Sequence, residues 1–271
     1  MSAARWQLEE QKARLADAAI EASIDLAHPE RGLLLGVPDK PNAKARFCVL
    51  GFALGNSSEL AGTEIDAYIR QNDLIAIFER TQPEPMRAQI YWRFLEPTEF
   101  AAEYASHVHV AFDLIASVNT SLLDSDPAST VRSSIDPVIA LLNLAQTEPG
   151  HFQAKQLGSA LARGVPAAEA ISPLDSQAGC FIARFASNPL SWLEMVHPAD
   201  FHGSRASLGD SSSIPGHHSL GLVHDLFAQR LEKGVILRAR VRGALVGREN
   251  DAACATAAFR KFSASEPALT V

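Results

Sequence analysis

The stretch from Trp192 to His202 carries the densest set of chemically able side chains in this sequence. It reads Trp-Leu-Glu-Met-Val-His-Pro-Ala-Asp-Phe-His. Glu194, His197 and Asp200 could exchange protons with a neutral polar substrate, because carboxyl groups and imidazoles act as general acids and bases. These three are the predicted catalytic residues. Trp192 and His202 are predicted to contact the ligand.

Strand geometry weakens a ready-made pair between Glu194 and His197. Side chains alternate across a strand, so Glu194 shares a face with Val196 while His197 faces the other way. The alternative interpretation is structural: His197 bonds the backbone and Asp200 caps a turn. Both interpretations stay open on the sequence alone.

Three arginines at alternate positions form a second candidate site. Arg238, Arg240 and Arg242 share one face of a strand predicted over residues 235–246. Guanidinium groups in such a row could bind a carboxylate or a phosphate, so the three are predicted ligand-binding residues. The alternative is that they pair with acids of a neighbouring strand. The possible acidic partners are Asp113, Glu96 and Asp66.

Histidines are frequent in a polar segment at about 202–225. The donor residues of this segment are His202, Asp210, His217, His218 and His224. Zinc needs three or four converging donors, and adjacent histidines rarely point the same way. The spacings match no metal signature, and the sequence contains no phosphate-binding, dinucleotide or nucleophile-elbow motif. We therefore predict no metal and no cofactor, and a solvated loop explains the same residues.

Composition narrows the classes of partner. The chain of 271 residues is 47% hydrophobic and 20% charged, which is typical of a globular protein with a sizeable core. Its formal net charge of −7 provides no basic field for nucleic acid. No apolar run reaches the roughly eighteen residues of a membrane span. We expect neither a nucleic-acid partner nor membrane insertion.

The cysteines and the N-terminal residues favour a reduced, cytoplasmic environment. Cys48, Cys180 and Cys254 lie far apart and form no Cys-x-x-Cys pair. Each has small or apolar neighbours, which indicates free cysteines in a core. The N-terminal residues are charged and lack the apolar stretch of a signal peptide.

Two segments have patterns typical of helices. Residues 1–32 are predicted as an N-terminal amphipathic helix, and residues 134–172 as a helical connection that starts around Asp136 and Pro137. The N-terminal prediction depends on apolar residues that recur at helical spacing. They are Leu8, Leu15, Ala19, Ala22 and Leu26.

The rest of the chain reads as strands. Residues 33–133 and 173–271 consist of short apolar runs cut by Gly, Pro and Asn, which predicts two β-rich halves. The later half carries an inserted loop at about 202–225. Smaller predictions are a short helix at 98–106, another at 221–231, and a last strand at 252–262. The predicted fold is mainly β (α+β), a large two-sheet β-sandwich.

The two halves also echo one another. Residues 91–100 match 192–201, with a proline and a phenylalanine at corresponding positions. A second match equates 114–123 with 237–246, so the halves are predicted to be an internal duplication.

The predicted architecture resembles large two-sheet sandwiches that bind or isomerise carbohydrates. That resemblance implies a small polar ligand, such as a carbohydrate, beside residues 192–202. The alternative is a non-catalytic interaction or assembly protein that forms a homodimer through its N-terminal helix or an exposed sheet face. Whether the protein is an enzyme stays open, because no motif decides it.

Overall fold

The chain folds into one antiparallel network of seventeen strands with two α-helices in the part described. The structure, a computed structural model, describes residues 5–16, 20–36, 46–54, 63–82, 84–148, 150–157, 169–171, 177–186, 188–212 and 217–268. The strands are β1 (Arg5–Glu9), β2 (Lys12–Ala16), β3 (Glu21–Asp25), β4 (Leu33–Gly36), β5 (Arg46–Leu54), β6 (Thr63–Arg70), β7 (Asp73–Arg80), β8 (Met86–Leu95), β9 (Val108–Thr120), β10 (Ser129–Glu148), β11 (His151–Gln156), β12 (Glu169–Ile171), β13 (Gln177–Phe185), β14 (Leu190–Val196), β15 (Gly203–Asp210), β16 (His218–Leu226) and β17 (Leu237–Gly247). The helices are α1 (Pro97–Ala101) and α2 (Asp251–Ser263).

Strand β10 divides this network into two wings. Its first part, residues 129–135, lies between β5 and β16, and its second part, residues 138–145, contacts β13 and β11. Wing I has the strand order β1-β2-β3-β4-β5-β10-β16-β15-β12. Wing II has the order β6-β7-β8-β9-β17-β14-β13-β10-β11. Pro137, which lacks a backbone N–H, lies where β10 changes partners.

The two wings face each other across the main core. Phe47 of wing I packs on Phe185 of wing II with ring centroids 4.7 Å apart. Trp92 Nε1 of wing II donates a hydrogen bond to the carbonyl oxygen of Leu50 at 3.1 Å. The outer face of wing II carries a second apolar cluster, which α2 covers. The prediction of a mainly β chain is therefore confirmed, and the predicted pair of sheets is one sheet with facing wings.

The predicted N-terminal helix over residues 1–32 is wrong. Its described part forms β1, β2, β3 and a 3-10 turn, and in the strands every second side chain is buried or partly buried. Leu8 and Leu15 are seven residues apart, a helical repeat, but a turn at Glu10 with φ of 52° restarts the strand alternation between them. An apolar spacing of seven therefore fits two short strands as well as one helix.

The predicted helical connection at 134–172 is also wrong where it is described. Residues 134–148 continue β10, and residues 151–156 form β11. The run of Val138 to Ala145, apolar except for Asn143, is typical of a strand that is largely buried on both faces, which periodicity cannot separate from a buried helix.

Three smaller predictions change in the later half. The predicted inserted loop at about 202–225 is mostly the hairpin of β15 and β16, so the short helix predicted at 221–231 is wrong. The strand predicted at 252–262 is helix α2, whose buried residues recur at helical spacing. They are Cys254, Ala255, Ala258, Phe259 and Phe262.

The helix predicted at 98–106 is confirmed in part by α1, with Pro97 in its first turn.

Two of the three cysteines lie in a core, as their neighbours indicated, and Cys48 does not. All three are free, with Cys180 and Cys254 buried and Cys48 half-buried. Burial raises the pKa of the Cys254 thiol to about 12 and also raises the pKa of Cys180. Neither described helix is long and apolar enough to cross a bilayer.

The predicted duplication stays a prediction. The echoing strands β9 and β17 pair with each other, and β8 and β14 flank them. Their registers differ, however, because Tyr91 pairs with Ile115 whereas its counterpart Trp192 pairs with Leu245.

Candidate functional site

Glu194 lies at the centre of a buried hydrogen-bond network between the wings. Its Oε2 accepts hydrogen bonds from Ser133 Oγ at 2.6 Å and from Trp192 Nε1 at 2.7 Å. Its Oε1 lies 2.9 Å from His224 Nε2. Glu194 and His224 are both fully buried, so neither side chain reaches solvent. Among its contacts, Ser133 and His224 belong to wing I, so the network ties the two wings together.

His224 extends this network to β15, the strand next to it in wing I. Its Nδ1 lies 2.7 Å from Ser204 Oγ, and its ring lies on Phe181 with centroids 5.4 Å apart. The sequence analysis placed His224 in a solvated loop. Alternation along β16 could have shown its true direction, because Leu220, Leu222 and Leu226 share its inward face.

His197 points away from Glu194, as alternation predicted. Its Nδ1 accepts a hydrogen bond from the Ala199 backbone N–H at 3.3 Å, and its Nε2 lies 3.1 Å from the Ser265 carbonyl oxygen. Asp200 Oδ2 accepts a hydrogen bond from the Arg240 backbone N–H at 2.9 Å. Both side chains are buried at the outer face of wing II. The predicted catalytic residues are thus divided between two faces of one sheet.

The three arginines Arg238, Arg240 and Arg242 bind residues of the neighbouring strand β9 and of the chain from Phe262 onward. Arg242 forms a bidentate pair with Asp113 at 2.6 and 2.8 Å, which confirms the predicted acidic partner on the neighbouring strand. Arg240 donates to Ser265 Oγ at 2.5 Å, and Arg238 donates to Ser117 Oγ at 2.8 Å. The guanidinium carbons of Arg240 and Arg242 each lie 4.7 Å from the Phe262 ring centroid. These three arginines were predicted to bind a ligand, but in the structure their guanidinium groups bind partners within the chain.

The remaining predicted residues do not gather into one site. His202 is exposed, and Trp192 is buried in the main core. Within the described ranges, no three His, Cys, Asp or Glu side chains come together in a way that could hold a metal ion.

The pKa of Asp200 predicts how the stability of the protein depends on pH. Burial raises the pKa of Asp200 above its ordinary value of 3.8, although the Arg240 N–H opposes the shift. A folded state with the higher pKa binds more protons, so this group makes the protein less stable as pH rises through the interval above 3.8. We expect Asp200→Asn to gain stability relative to the natural protein as pH rises through that interval.

Chemical denaturation of both proteins at several pH values measures that difference. The prediction would be contradicted if the free energy of unfolding of Asp200→Asn fell relative to that of the natural protein as pH rises. Carboxyl NMR of Asp200 gives its folded pKa directly and serves as the control.

An open cleft lies on the outer face of wing I, away from all the predicted site residues. Its volume is about 570 Å³, within the roughly 300–1,000 Å³ typical of small-molecule sites. Strand register sets its floor as a row across β1 to β5, in which neighbouring strands lie about 4.8 Å apart. The row is Gln7, Arg14, Ser23, Leu34 and Cys48.

A second, charged row borders the cleft. Glu9, Lys12 and Asp25 are register partners on β1, β2 and β3. Arg14 Nε donates to Gln7 Oε1 at 2.9 Å, which orients both side chains on the floor. The cleft therefore offers amide, hydroxyl, carboxyl and guanidinium groups to a ligand within one small area.

Arg31 reaches the cleft because of an unusually close backbone contact. Residues Pro29–Arg31 form a 3-10 turn, and Gly32 follows with φ of 74°. A Cβ at Gly32 would lie 2.2 Å from the Val49 carbonyl oxygen and 2.4 Å from the Gly51 nitrogen. Only glycine permits this approach, which presses the turn onto β5 and places Arg31 beside Cys48. Burial raises the pKa of the Cys48 thiol, with Arg31 opposing the shift.

The sequence analysis did not find this cleft. Its residues are distributed over five strands and the 3-10 turn, three of the strands were predicted as helix, and none of the residues belongs to a recognisable motif. A correct register of β1 to β3 is the signal that would have aligned Gln7, Arg14 and Ser23 on one face.

Comparisons with known proteins identify the fold. No protein-family model and no curated protein matches this sequence. Among solved structures, an aldose epimerase homologue from C. elegans matches with a TM-score of 0.51 and 9% identity, over 91% of this chain and 99% of that chain. The galactosidase domain of an α-galactosidase–sucrose kinase matches with a TM-score of 0.50 and 8% identity, over 90% of this chain and 42% of that chain. The chain therefore has a fold similar to that of aldose epimerase homologues.

Proposed function

We propose that this protein binds a small polar molecule of the carbohydrate class in the cleft on the outer face of wing I. The observation that carries the proposal is the cleft itself, where hydrogen-bonding groups of both kinds surround a partly apolar floor. Sugars present hydroxyl groups that donate and accept, together with apolar C–H faces. Such a ligand suits a floor that combines Gln7, Arg14 and Ser23 with Leu34.

The fold neighbours support the same class of ligand. An aldose epimerase homologue and a galactosidase domain share this fold. Their names refer to sugars, which makes galactose and glucose the first ligands to test. Fold likeness at this identity leaves the site to be argued from this chain's own residues.

The proposal places the ligand in the cleft and not beside residues 192–202. Glu194 is sealed between the wings, and His197 and Asp200 are covered by the C-terminal segment. A ligand would have to displace packed core or helix α2 to reach them. Catalysis by these three residues stays a prediction from the sequence.

Saturation-transfer NMR with galactose, glucose and α-linked disaccharides tests the proposal. We expect transfer to at least one of these sugars from the natural protein. Ser23→Trp should abolish it, because the indole fills the middle of the floor. Ser207→Trp is the matched control, since Ser207 is exposed on β15 of the same wing, outside the cleft.

Two results would overturn the proposal. One is the absence of transfer to every sugar in the panel. The other is equal transfer from the natural protein and from folded Ser23→Trp, with circular dichroism as the check on folding.

A further inference from the structure

The wing I cleft carries more positive than negative charge, although the protein as a whole is acidic. Its charged side chains are Lys12, Arg14 and Arg31 against Glu9 and Asp25, an excess of one positive charge. The whole chain has a formal net charge of −7. None of these five side chains forms an ion pair with another residue in the ranges that the structure describes. The positive charge of the cleft is therefore available to a ligand.

The register of β1 to β3 shows where this excess lies. Lys12 is the partner of Glu9 on one side and of Asp25 on the other. Opposite charges on adjacent strands attract each other, so these two acids balance the charge of Lys12. Arg14 lies two residues further along β2 on the same face, and neither of its register partners is an acid. Those partners are Gln7 on β1 and Ser23 on β3.

The guanidinium group of Arg14 is oriented to bind a carboxylate. Its Nε donates to Gln7 Oε1 at 2.9 Å, and its Nη1 and Nη2 have no hydrogen-bond partner among the described residues. A guanidinium group binds a carboxylate through two parallel N–H···O bonds, which are about twice as strong as neutral hydrogen bonds. Ser23, on the next strand about 4.8 Å away, adds a hydroxyl group to the same part of the floor.

Arg31 is the second cation of the cleft without an acid as a close partner. It lies beside Cys48, whose thiol is uncharged at neutral pH because burial raises its pKa. Arg31 is exposed on the 3-10 turn, and no hydrogen bond within the described part of the chain orients its guanidinium group. Arg14 is therefore the better ordered of the two arginines.

We propose that the sugar recognised by the wing I cleft is a sugar acid, whose carboxylate binds Arg14 and whose hydroxyl groups bind Ser23 and Asp25. The inference rests on the proposed function, because it names the class of sugar for the same cleft. Asp25 is held for this role, since its Oδ1 accepts a hydrogen bond from the Ala27 N–H at 3.1 Å. One carboxylate balances the excess charge of the cleft, whereas a phosphate monoester, at about −1.5 to −2, exceeds it.

Dissociation constants from NMR titration test the inference with ligands matched in shape. Galacturonate and its methyl ester differ in charge, as do glucuronate and its methyl ester. We expect the natural protein to bind at least one acid about tenfold more tightly than the ester of that acid, because hydrogen bonds to charged groups are stronger than neutral ones. Higher ionic strength should reduce this preference and leave binding of the ester unchanged, since salt screens exposed charges.

Substitution of single arginines tests which cation is responsible. Arg14→Gln should bring acid and ester to equal affinity, because the amide still bonds to hydroxyl groups but carries no charge. Arg31→Gln should keep most of the preference. Arg87→Gln is the matched control, since Arg87 is exposed on β8 of wing II, outside the cleft, and its loss changes the net charge equally. Circular dichroism checks that each variant is folded.

Three results would overturn the inference. If the natural protein binds acid and ester equally, and Ser23→Trp abolishes both, the cleft binds sugars but has no preference for acids. Tighter binding of galactose 6-phosphate, which carries its anion at the same carbon as galacturonate, excludes a carboxylate ligand. A preference that survives in folded Arg14→Gln excludes the role of Arg14. If neither neutral nor acidic sugars bind, the proposed function fails as well.

Discussion

Replacing Glu194 with alanine should lower the free energy of unfolding by about 4 kcal/mol, because each buried donor left without a partner costs about 1–3 kcal/mol. The change removes the acceptor of Ser133 Oγ, Trp192 Nε1 and His224 Nε2 together. It also leaves a cavity between the wings. Chemical denaturation followed by tryptophan fluorescence measures the loss, since Trp192 contacts the changed position.

A double-mutant cycle with His224→Ala separates the network from simple loss of volume. Residues in one hydrogen-bond network show coupling of about 0.5–3 kcal/mol, so the double variant should lose less than the two single variants added. Glu232→Ala at an exposed loop position should change stability by less than about 0.5 kcal/mol. An additive cycle, or a loss for Glu194→Ala as small as that control, would contradict the structural role.

Replacing Gly32 with alanine should cost about 3 kcal/mol or prevent folding, since backbone strain of order 1–3 kcal/mol adds to a collision. The added Cβ would lie 2.2 Å from the Val49 carbonyl oxygen, so β5 and the 3-10 turn would have to separate. Arg31 would then move away from the cleft. Thermal and chemical denaturation measure the stability, and NMR with the cleft's sugar measures the second effect.

Gly234→Ala is the matched control for this change. Gly234 also has a positive φ of 88°, but a Cβ there would meet nothing within 4 Å. Its cost should be the conformational one alone, about 1 kcal/mol. If both variants lose the same stability, the close approach of the turn to β5 contributes nothing, and the account of how Arg31 is positioned fails.

Strand alternation explains which parts of the fold the sequence could predict. The first six residues of β17 alternate between apolar residues and arginine, and the strand predicted at 235–246 lies within two residues of the true bounds. The N-terminal strands are only five residues long, and the second part of β10 is largely apolar on both faces, so neither shows a clear strand period. The alanine-rich helix α2 was predicted as one more strand, because it follows a series of strands in the sequence. Its buried positions recur at helical spacing, which was the available signal.

The candidate site was harder to predict than the fold for a different reason. Chemically able residues such as Glu194 and Arg242 stand out in a sequence, yet here Glu194 bonds to the facing wing and Arg242 pairs with Asp113 on the neighbouring strand. The cleft residues do not stand out individually in the sequence. They form a site only because the register of β1 to β5 brings them together. Gln7 and Cys48 lie 41 positions apart in the chain and meet on one row because four strand pairings align them. Sequence spacing carries no trace of such an arrangement.

A crystal structure of the protein soaked with the sugar that gives the strongest NMR signal tests the central claim most directly. The account predicts the sugar in the wing I cleft, with hydroxyl groups bonded to Gln7, Arg14, Ser23 or Asp25 and its apolar face on Leu34. A sugar bound at any other surface, with the cleft unoccupied, would contradict it.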